Sequence, residues 1–402
     1  VGFTVELYNP ITLTTTDISA KVSKVDYAHK LDAENDEFKI ACFDLGGVKK
    51  FQQVKVKKDG VIILSGIVLN QKDSAHELHI VSELGCMDWS YLFNRRAVAK
   101  SYTDKTLDYI LNDLVASFIP ELTTTNVRSS LVTFAGDLLF QYTYAFESIK
   151  KIIESAYGWH WYVDALKDVH LFETYETDGV DFTTSNIKMD SFSVDYLGDV
   201  AANKLWIVGA KQAGTSYIDQ YFTGDGQQRY FNLAYEPNYS SIYVGATLKN
   251  SKLEQNDDGA QDFLINKKGK VFYIPTNIVT PFTGVIKFRY RPTLQIIDYY
   301  ENQQAQNEAG ILLERIVKNK DITDRLSARQ YGKAEIKRKA VQKRIINFIT
   351  SAEVKVGERC QIDVIQNGWD VSGKFLVTAV SGSITADLIQ SNFKSVDMEE
   401  IV

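Results

Sequence analysis

Along the first 84 residues, short apolar runs are punctuated by turns, and the stretch reads as antiparallel β. Val54 and Val56, the Asp59-Gly60 pair and the run Val61-Ile62-Ile63-Leu64 predict a hairpin, because Asp-Gly readily takes the left-handed dihedrals of a tight turn. Residues 66–69 and 78–81 continue the series, and strands and turns at this density predict an antiparallel barrel or sandwich. The pattern then changes. Leu107, Ile110, Leu111, Leu114, Val115 and Phe118 fall on one helical stripe, with Thr103 as the expected N-cap, Asp104 in the first turn and Pro120 as the stop.

Residues 126–145 read as irregular or strand-like. Phe146, Ile149, Ile152, Ile153, Ala156 and Tyr157 then predict a second amphipathic helix, capped by Gly158. Two strands, 159–163 and 169–172, should follow around Leu166-Lys167-Asp168. A strand is expected over 200–208, and the stretch 216–295, rich in Tyr, Asn, Gly and Asp, carries further short β runs. Residues 298–345 read as a polar helical zone, in which Ala328, Gly332, Ile336 and Ala340 make a narrow face of mostly small side chains. One place on from each lie Arg329, Lys333, Lys337 and Val341, and Arg325 extends this cationic row. Such a row is either the solvated side of a packed helix or a contact to a neighbouring subunit.

From 348 to 402 the chain returns to β. Val356-Gly357-Glu358-Arg359, 362–365, Asn367-Gly368, Gly373 and 375–380 have the order strand, turn, strand, glycine, strand. The N-terminal run has that same order in 54–56, Asp59-Gly60, 62–64, Gly66 and 67–69, with a spacing between turn glycine and second glycine that differs by one residue. This is the pattern of an internal repeat.

Composition narrows the function. A chain of 402 residues predicts two to four domains. The aromatic share of 12%, with 22 Tyr and 21 Phe against 6 Pro, suits a β-rich protein. A formal net charge of −6 argues against a surface built to grip phosphate backbones. Cys42, Cys86 and Cys360 are odd in number and far apart, which suggests neither a disulfide framework nor a zinc site. No apolar run approaches the roughly 18 residues of a spanning helix, and the first residues do not read as a signal peptide, so assembly in a reducing cytoplasm is expected.

Candidate chemistry is sparse. His76-Glu77-Leu78-His79 lacks the spacing of a zincin and falls in a predicted strand. His160 and His170 flank the aromatic hairpin as a surface or cross-strand pair. Asn256-Asp257-Asp258-Gly259 with Asp262 lacks the ligand alternation of a calcium loop and reads as a turn. Gly224-Asp225-Gly226 is too short to cradle a phosphate, and neither a P-loop nor a nucleophile elbow occurs. Glu399 and Glu400 sit at the very end of the sequence, an improbable place for a glycosidase pair. Arg95 and Arg96 fit either a subunit boundary or an intramolecular salt bridge. No catalytic, cofactor or metal residue is assigned.

One series of residues carries a resemblance. Cys86, Asp88 and Trp89, then Leu92, Arg95 and Arg96, then Thr106, Ile110 and Leu111, follow the exit from the first barrel in the hub proteins at the tail tip or baseplate of long-tailed bacteriophages and related injection systems. Phe222, Gly224, Asp225, Gly226, Phe231 and Leu233 resemble the opening of that family's inserted β domain. Ile322, Thr323, Ala328 and Ala334 resemble its returning helix, and Thr350 to Gly357 the ending that follows.

The resemblance implies a mainly β fold with α+β insertions: two similar antiparallel, tail-tube-like β-barrels plus two smaller inserted domains. Residues 1–88 would form the first barrel and 89–185 an α/β domain. Residues 186–215 plus 298–402 would form the second barrel with its helix, and 216–297 the inserted β domain. It implies a non-enzymatic homotrimer in the virion, without cofactor, joining a sixfold tail tube to a threefold spike or fibre. Its partners would be a tail tube or distal tail protein, a tape-measure protein, a spike, fibre or tail lysozyme, and DNA that passes without specific binding. Arg95, Arg96, Arg325, Arg329, Lys333 and Lys337 are the candidate subunit or partner contacts. The alternative is a carbohydrate- or receptor-binding β-module protein, with 157–175 and 217–243 as stacking platforms.

Overall fold

A computed structural model describes residues 3–48, 50–76, 79–156, 158–197, 202–257, 259–320, 322, 324–339, 343–366, 368–385 and 393–401. Glu77, Leu78, Tyr157, Val200, Asp258, Thr323, Ala340, Val341 and Asn367, named above, lie outside the described residues. The fold is mainly β, and its largest feature is a fourteen-stranded sheet built from both ends of the chain. Two compact units divide the sequence: 1–203 with 302–313 and 333–402, and 204–301 with 314–332.

In the first unit, the N-terminal strands neighbour one another in the order Phe3–Asn9, Gln53–Lys58, Val61–His76, His79–Met87, Glu37–Phe43, Val22–Lys30. The C-terminal strands repeat that order as Phe182–Thr183, Glu358–Gln366, Trp369–Thr385, Lys394–Glu400, Lys343–Thr350, Ile187–Leu197. The strands also succeed one another along the chain in the same way, with a long insertion between the second and third of the later set. One difference is that Phe182–Thr183 runs parallel to its neighbour where Phe3–Asn9 runs antiparallel.

Each set wraps around its own core. Val5, Val25, Ile40, Val54, Val56, Val68, Leu84 and Cys86 fill the first. Phe182, Phe192, Phe348, Ile362, Val364, Phe375, Val396 and Met398 fill the second. Inward-facing residues alternate with outward ones along these strands, as in Phe3–Asn9, Glu37–Phe43 and Gln53–Lys58.

The repeat explains its own irregularity. Asp59 and Gly60 both have positive φ, 50° and 82°, as the tight turn demands. Past that turn, Lys57 faces Ile62 but Val56 faces Leu64, so Ile63 is an extra, bulged residue. The later hairpin keeps register without a break from Gln366–Trp369 to Arg359–Leu376. That bulge is the one-residue difference in glycine spacing. With it removed, Gly66 opposite Val54 corresponds to Gly373 opposite Ile362.

Between the two sets of strands lies the α/β part of the first unit. The helix Leu107–Phe118 buries Leu107, Ile110, Leu111, Leu114 and Val115, as its stripe predicts. Its N-cap is Thr106, not Thr103, because Ala97–Thr106 is a strand paired with Thr133–Tyr144 and holds Thr103 opposite Asp137. That pairing also makes the ambiguous stretch 126–145 largely β. The second helix, Ala145–Glu154, buries Phe146, Ile149, Ile152 and Ile153, and Gly158 takes a φ of 80° beyond it. Trp159–Val163 and Asp168–Glu173 then form the expected hairpin, and the Asp164 side chain accepts from the Leu166 and Asp168 amides at 2.8 Å each.

The second unit holds a six-stranded and a four-stranded sheet. The 19-residue strand Thr283–Glu301 pairs with Lys204–Ala213, Ile218–Asp225 and Glu236–Val244. Residues 204–213 and 298–301, expected with the second barrel, therefore hydrogen-bond within this unit. The zone 298–345 is not continuously helical either. Helices Gln303–Ala309 and Arg325–Lys339 are separated by the strand Glu314–Lys318, which pairs parallel with Lys204–Ala213. That strand is mostly exposed, so its polar sequence shows no alternation. Phe231, Phe263, Phe272, Phe288 and Tyr290 make the core, with Phe231 stacked on Phe272 at 4.9 Å.

A side chain at Gly66 would put Cβ 1.9 Å from the Met87 carbonyl oxygen, whereas one at Gly60 meets only open space. Gly66→Ala is therefore expected to cost about 2–3 kcal/mol through backbone displacement, and Gly60→Ala about 1 kcal/mol through its positive φ. Urea unfolding of the two variants checks the order, and equal losses would contradict it.

Candidate functional site

The two repeats are joined by main-chain pairing. Trp369–Thr385 runs on past its own repeat, and its far end lies antiparallel to Val22–Lys30, from Ala379 opposite Lys30 to Thr385 opposite Lys24. Ser383 also donates to the Asp26 carboxylate across this seam. No motif announces the contact, because its partners are about 350 residues apart; the only trace in the sequence is the length of the strand.

The turn after the first repeat is held by its acidic residue. The Asp36 amide donates to Asp88 Oδ1 at 3.1 Å, and the Lys30 amide donates to the Asp36 carboxylate at 3.1 Å. Burial pushes both carboxyls up, and in Asp36 the neighbouring Asp88 charge adds to this. Trp89 Nε1 donates to Ser65 Oγ at 2.6 Å. These bonds give both residues a structural duty: Asp88 ties the exit of His79–Met87 to the loop before Glu37–Phe43, and Trp89 ties it to the strand Val61–His76.

His160 and His170 do not meet. The register sets Tyr162 opposite His170 and Phe172 opposite His160. His160 Nδ1 lies 2.7 Å from Asp32 Oδ2, fastening the hairpin to the first repeat. His170 is buried between two acids, with Nδ1 2.5 Å from Glu176 Oε1 and Nε2 3.3 Å from Asp164 Oδ2, the latter an ion pair without hydrogen-bond geometry. Tyr162 stacks on the imidazole at 4.4 Å and donates to Glu176 Oε2 at 2.6 Å. Burial alone depresses the imidazole, but the two carboxylates outweigh it and raise it to about 9. Nearby His29, 3.3 Å from Asp36 Oδ2, is pushed down to about 4 by burial.

The remaining candidates scatter. Arg96 pairs with Glu121, and the Arg95 guanidinium sits 4.7 Å over the Tyr91 ring. Arg329 Nε reaches Asp298 Oδ2 at 3.1 Å. Arg325, Arg329, Lys333 and Lys337 are all on the exposed side of their helix. One position before Arg329 and Lys337, Ala328 and Ile336 are buried, as is Gly332, whose absent Cβ would stand 2.6 Å from Ile207 Cδ1.

Asp225 accepts from the Gln227 and Gln228 amides, and Asp257 from that of Gly259, so both acidic loops bond to themselves. Among the described residues no three His, Cys, Asp or Glu side chains converge as a metal set. Trp159 and Trp161 are 5% and 1% exposed, which removes them from any stacking platform. Tyr217, Tyr221 and Tyr239 are exposed, but Arg291 lies within 4.8 Å of the Tyr217 ring and 5.5 Å of the Tyr239 ring.

The raised His170 pKa fixes a sign. A group that binds its proton more tightly when folded stabilises fully below its unfolded value of about 6.5. That contribution fades as pH rises towards about 9. Asp164 and Glu176, both held below their usual range by His170 despite burial, withdraw theirs in acid. The melting-temperature gap between the native chain and His170→Gln is therefore expected to be largest between about pH 5 and 6.5 and to shrink by about pH 9. A gap that does not change with pH would contradict the ion-pair account.

No protein-family model matches the sequence, and no curated protein matches it. Solved structures do match its fold. The tail protein from Neisseria meningitidis MC58 superposes with a TM-score of 0.60 at 9% identity, over 100% of this chain and 97% of that one. The 43 kDa tail protein of prophage MuSo2 from Shewanella oneidensis gives 0.60 at 12% identity, over 98% and 97%. Prophage tail protein gp18 from Listeria monocytogenes EGD-e gives 0.56 at 9% identity, over 98% and 94%. Over nearly its whole length, the chain has the fold of these tail proteins.

Proposed function

We propose that the chain is the structural hub of a phage tail tip or baseplate, a homotrimer that adapts a sixfold tail tube to a threefold spike or fibre and lets DNA pass. One observation carries this reading: two sets of strands in the same order within one sheet, each set with its own core. Three copies about an axis would then present six similar sheets, the number a sixfold tube requires. The fold shared with three tail proteins supports the setting.

In this reading the tail tube or distal tail protein and the tape-measure protein lie on one side, and a spike, fibre or tail lysozyme on the other. The net charge of −6 suits a channel in which phosphates slide without being held. The hub itself does no chemistry, and His170 with its two acids serves as an internal clamp. The particle is assembled in the host cytoplasm and the chain ends in the virion. A carbohydrate-binding role draws no support from 157–175, where both tryptophans are buried.

Sedimentation equilibrium of the purified full chain tests the reading. Three chain masses are expected. A chain that remains monomeric or stops at a dimer at the highest attainable concentration would overturn it.

A further inference from the structure

Within one chain, one seam is closed and the two halves of a second are left open. The outer edge of Val22–Lys30 is covered by the far end of Trp369–Thr385. In the second repeat the counterpart of Val22–Lys30 is Ile187–Leu197, which pairs with Lys343–Thr350 and, among the described residues, ends the sheet. In the first repeat the counterpart of the far end of Trp369–Thr385 is the far end of Val61–His76. There, from Lys72 to His76, strand pairing among the described residues is to His79–Met87 alone.

We propose that these two open edges pair between copies, Val61–His76 of one chain against Ile187–Leu197 of the next. The inference rests on the hub reading and names the surface by which its trimer closes. Because one kind of edge meets the other, the contact is head-to-tail, and such contacts build rings instead of stopping at dimers. Main-chain donors and acceptors left open along an edge are strand-addition sites, and the strand that fits this one is written elsewhere in the same chain.

The closed seam sets the register of the open one. In the two hairpins Leu69 and Thr378 are the bulged residues, so Asn70 corresponds to Ala379 and Lys72 to Ser381. The buried pairs Phe38–Cys86 and Ile346–Met398 align Tyr27 with Val194, and hence Ala28 with Asp195. Ser381 faces Ala28 inside the chain. Lys72 of one copy therefore faces Asp195 of the next. Both are exposed in the single chain, and an ammonium directly across from a carboxylate favours this partner and this register over a like-charged one.

Cysteines report the pairing in the full-length chain. Residues opposite each other in an antiparallel pair stand about 4.5–5.5 Å apart, within disulfide reach. The native thiols Cys42, Cys86 and Cys360 are all buried. Under mild oxidation the double variant Lys72→Cys/Asp195→Cys is expected to give covalent dimers and trimers, and neither single variant should. The matched control, Ala28→Cys/Ser381→Cys, should close within each chain.

A chain that is trimeric, with the control linked but no bond between positions 72 and 195, overturns the pairing and leaves the hub reading standing. A chain that stays monomeric overturns both. As an independent readout, Lys72→Glu should lower the trimer fraction several-fold and Asp195→Lys added to it should restore it; a double variant no better than the single one counts against the register.

Discussion

The interaction on which the rest of this architecture depends is the antiparallel pairing of Ala379–Thr385 with Lys24–Lys30, because it welds two separately cored sheets into one. Each core fills itself from its own six strands and gains little from the other. The main-chain ladder fixes their relation instead, with a spacing and register that side-chain packing alone would leave adjustable. Tyr27 lies on this ladder and packs against both cores. Under the proposed hub role, a chain organised in this way would supply two neighbouring sheets of a larger ring.

Around the seam, polar groups do the fastening that apolar packing cannot do between domains. Asp88 receives the Asp36 amide, His160 meets Asp32, and Ser65 Oγ donates to the Ala165 carbonyl while accepting from Trp89. Each ties the first repeat to the α/β segment that follows it. Buried carboxyls and imidazoles are costly unless satisfied, so a network of this kind specifies one arrangement more than it adds stability. At His170 the ring is stacked on Tyr162 and both nitrogens face acids, so its shifted ionisation has a structural cause.

Much of this was legible in the sequence, and for identifiable reasons. The Asp59-Gly60 hairpin, the stripe of Leu107–Phe118 and the aromatic hairpin around Leu166-Lys167-Asp168 are local patterns, and all three are present. The internal repeat was visible through its glycines, although the bulge at Ile63 that offsets them was not. What failed was non-local. Thr103 lost its capping role to a strand whose partner lies some 30 residues on, and Glu314–Lys318 became β because Lys204–Ala213 supplied a ladder. The cationic row was placed on its exposed face, with Arg329 and Arg96 taking partners inside the chain that spacing alone could not name.

The most direct measurement of the central idea, that one chain supplies two equivalent sheets and three chains supply six, is electron microscopy of the purified particle viewed down its axis. A ring with six near-equal inner lobes and overall threefold symmetry is the predicted image. A ring of three lobes, or an assembly with no rotational order, would contradict the account.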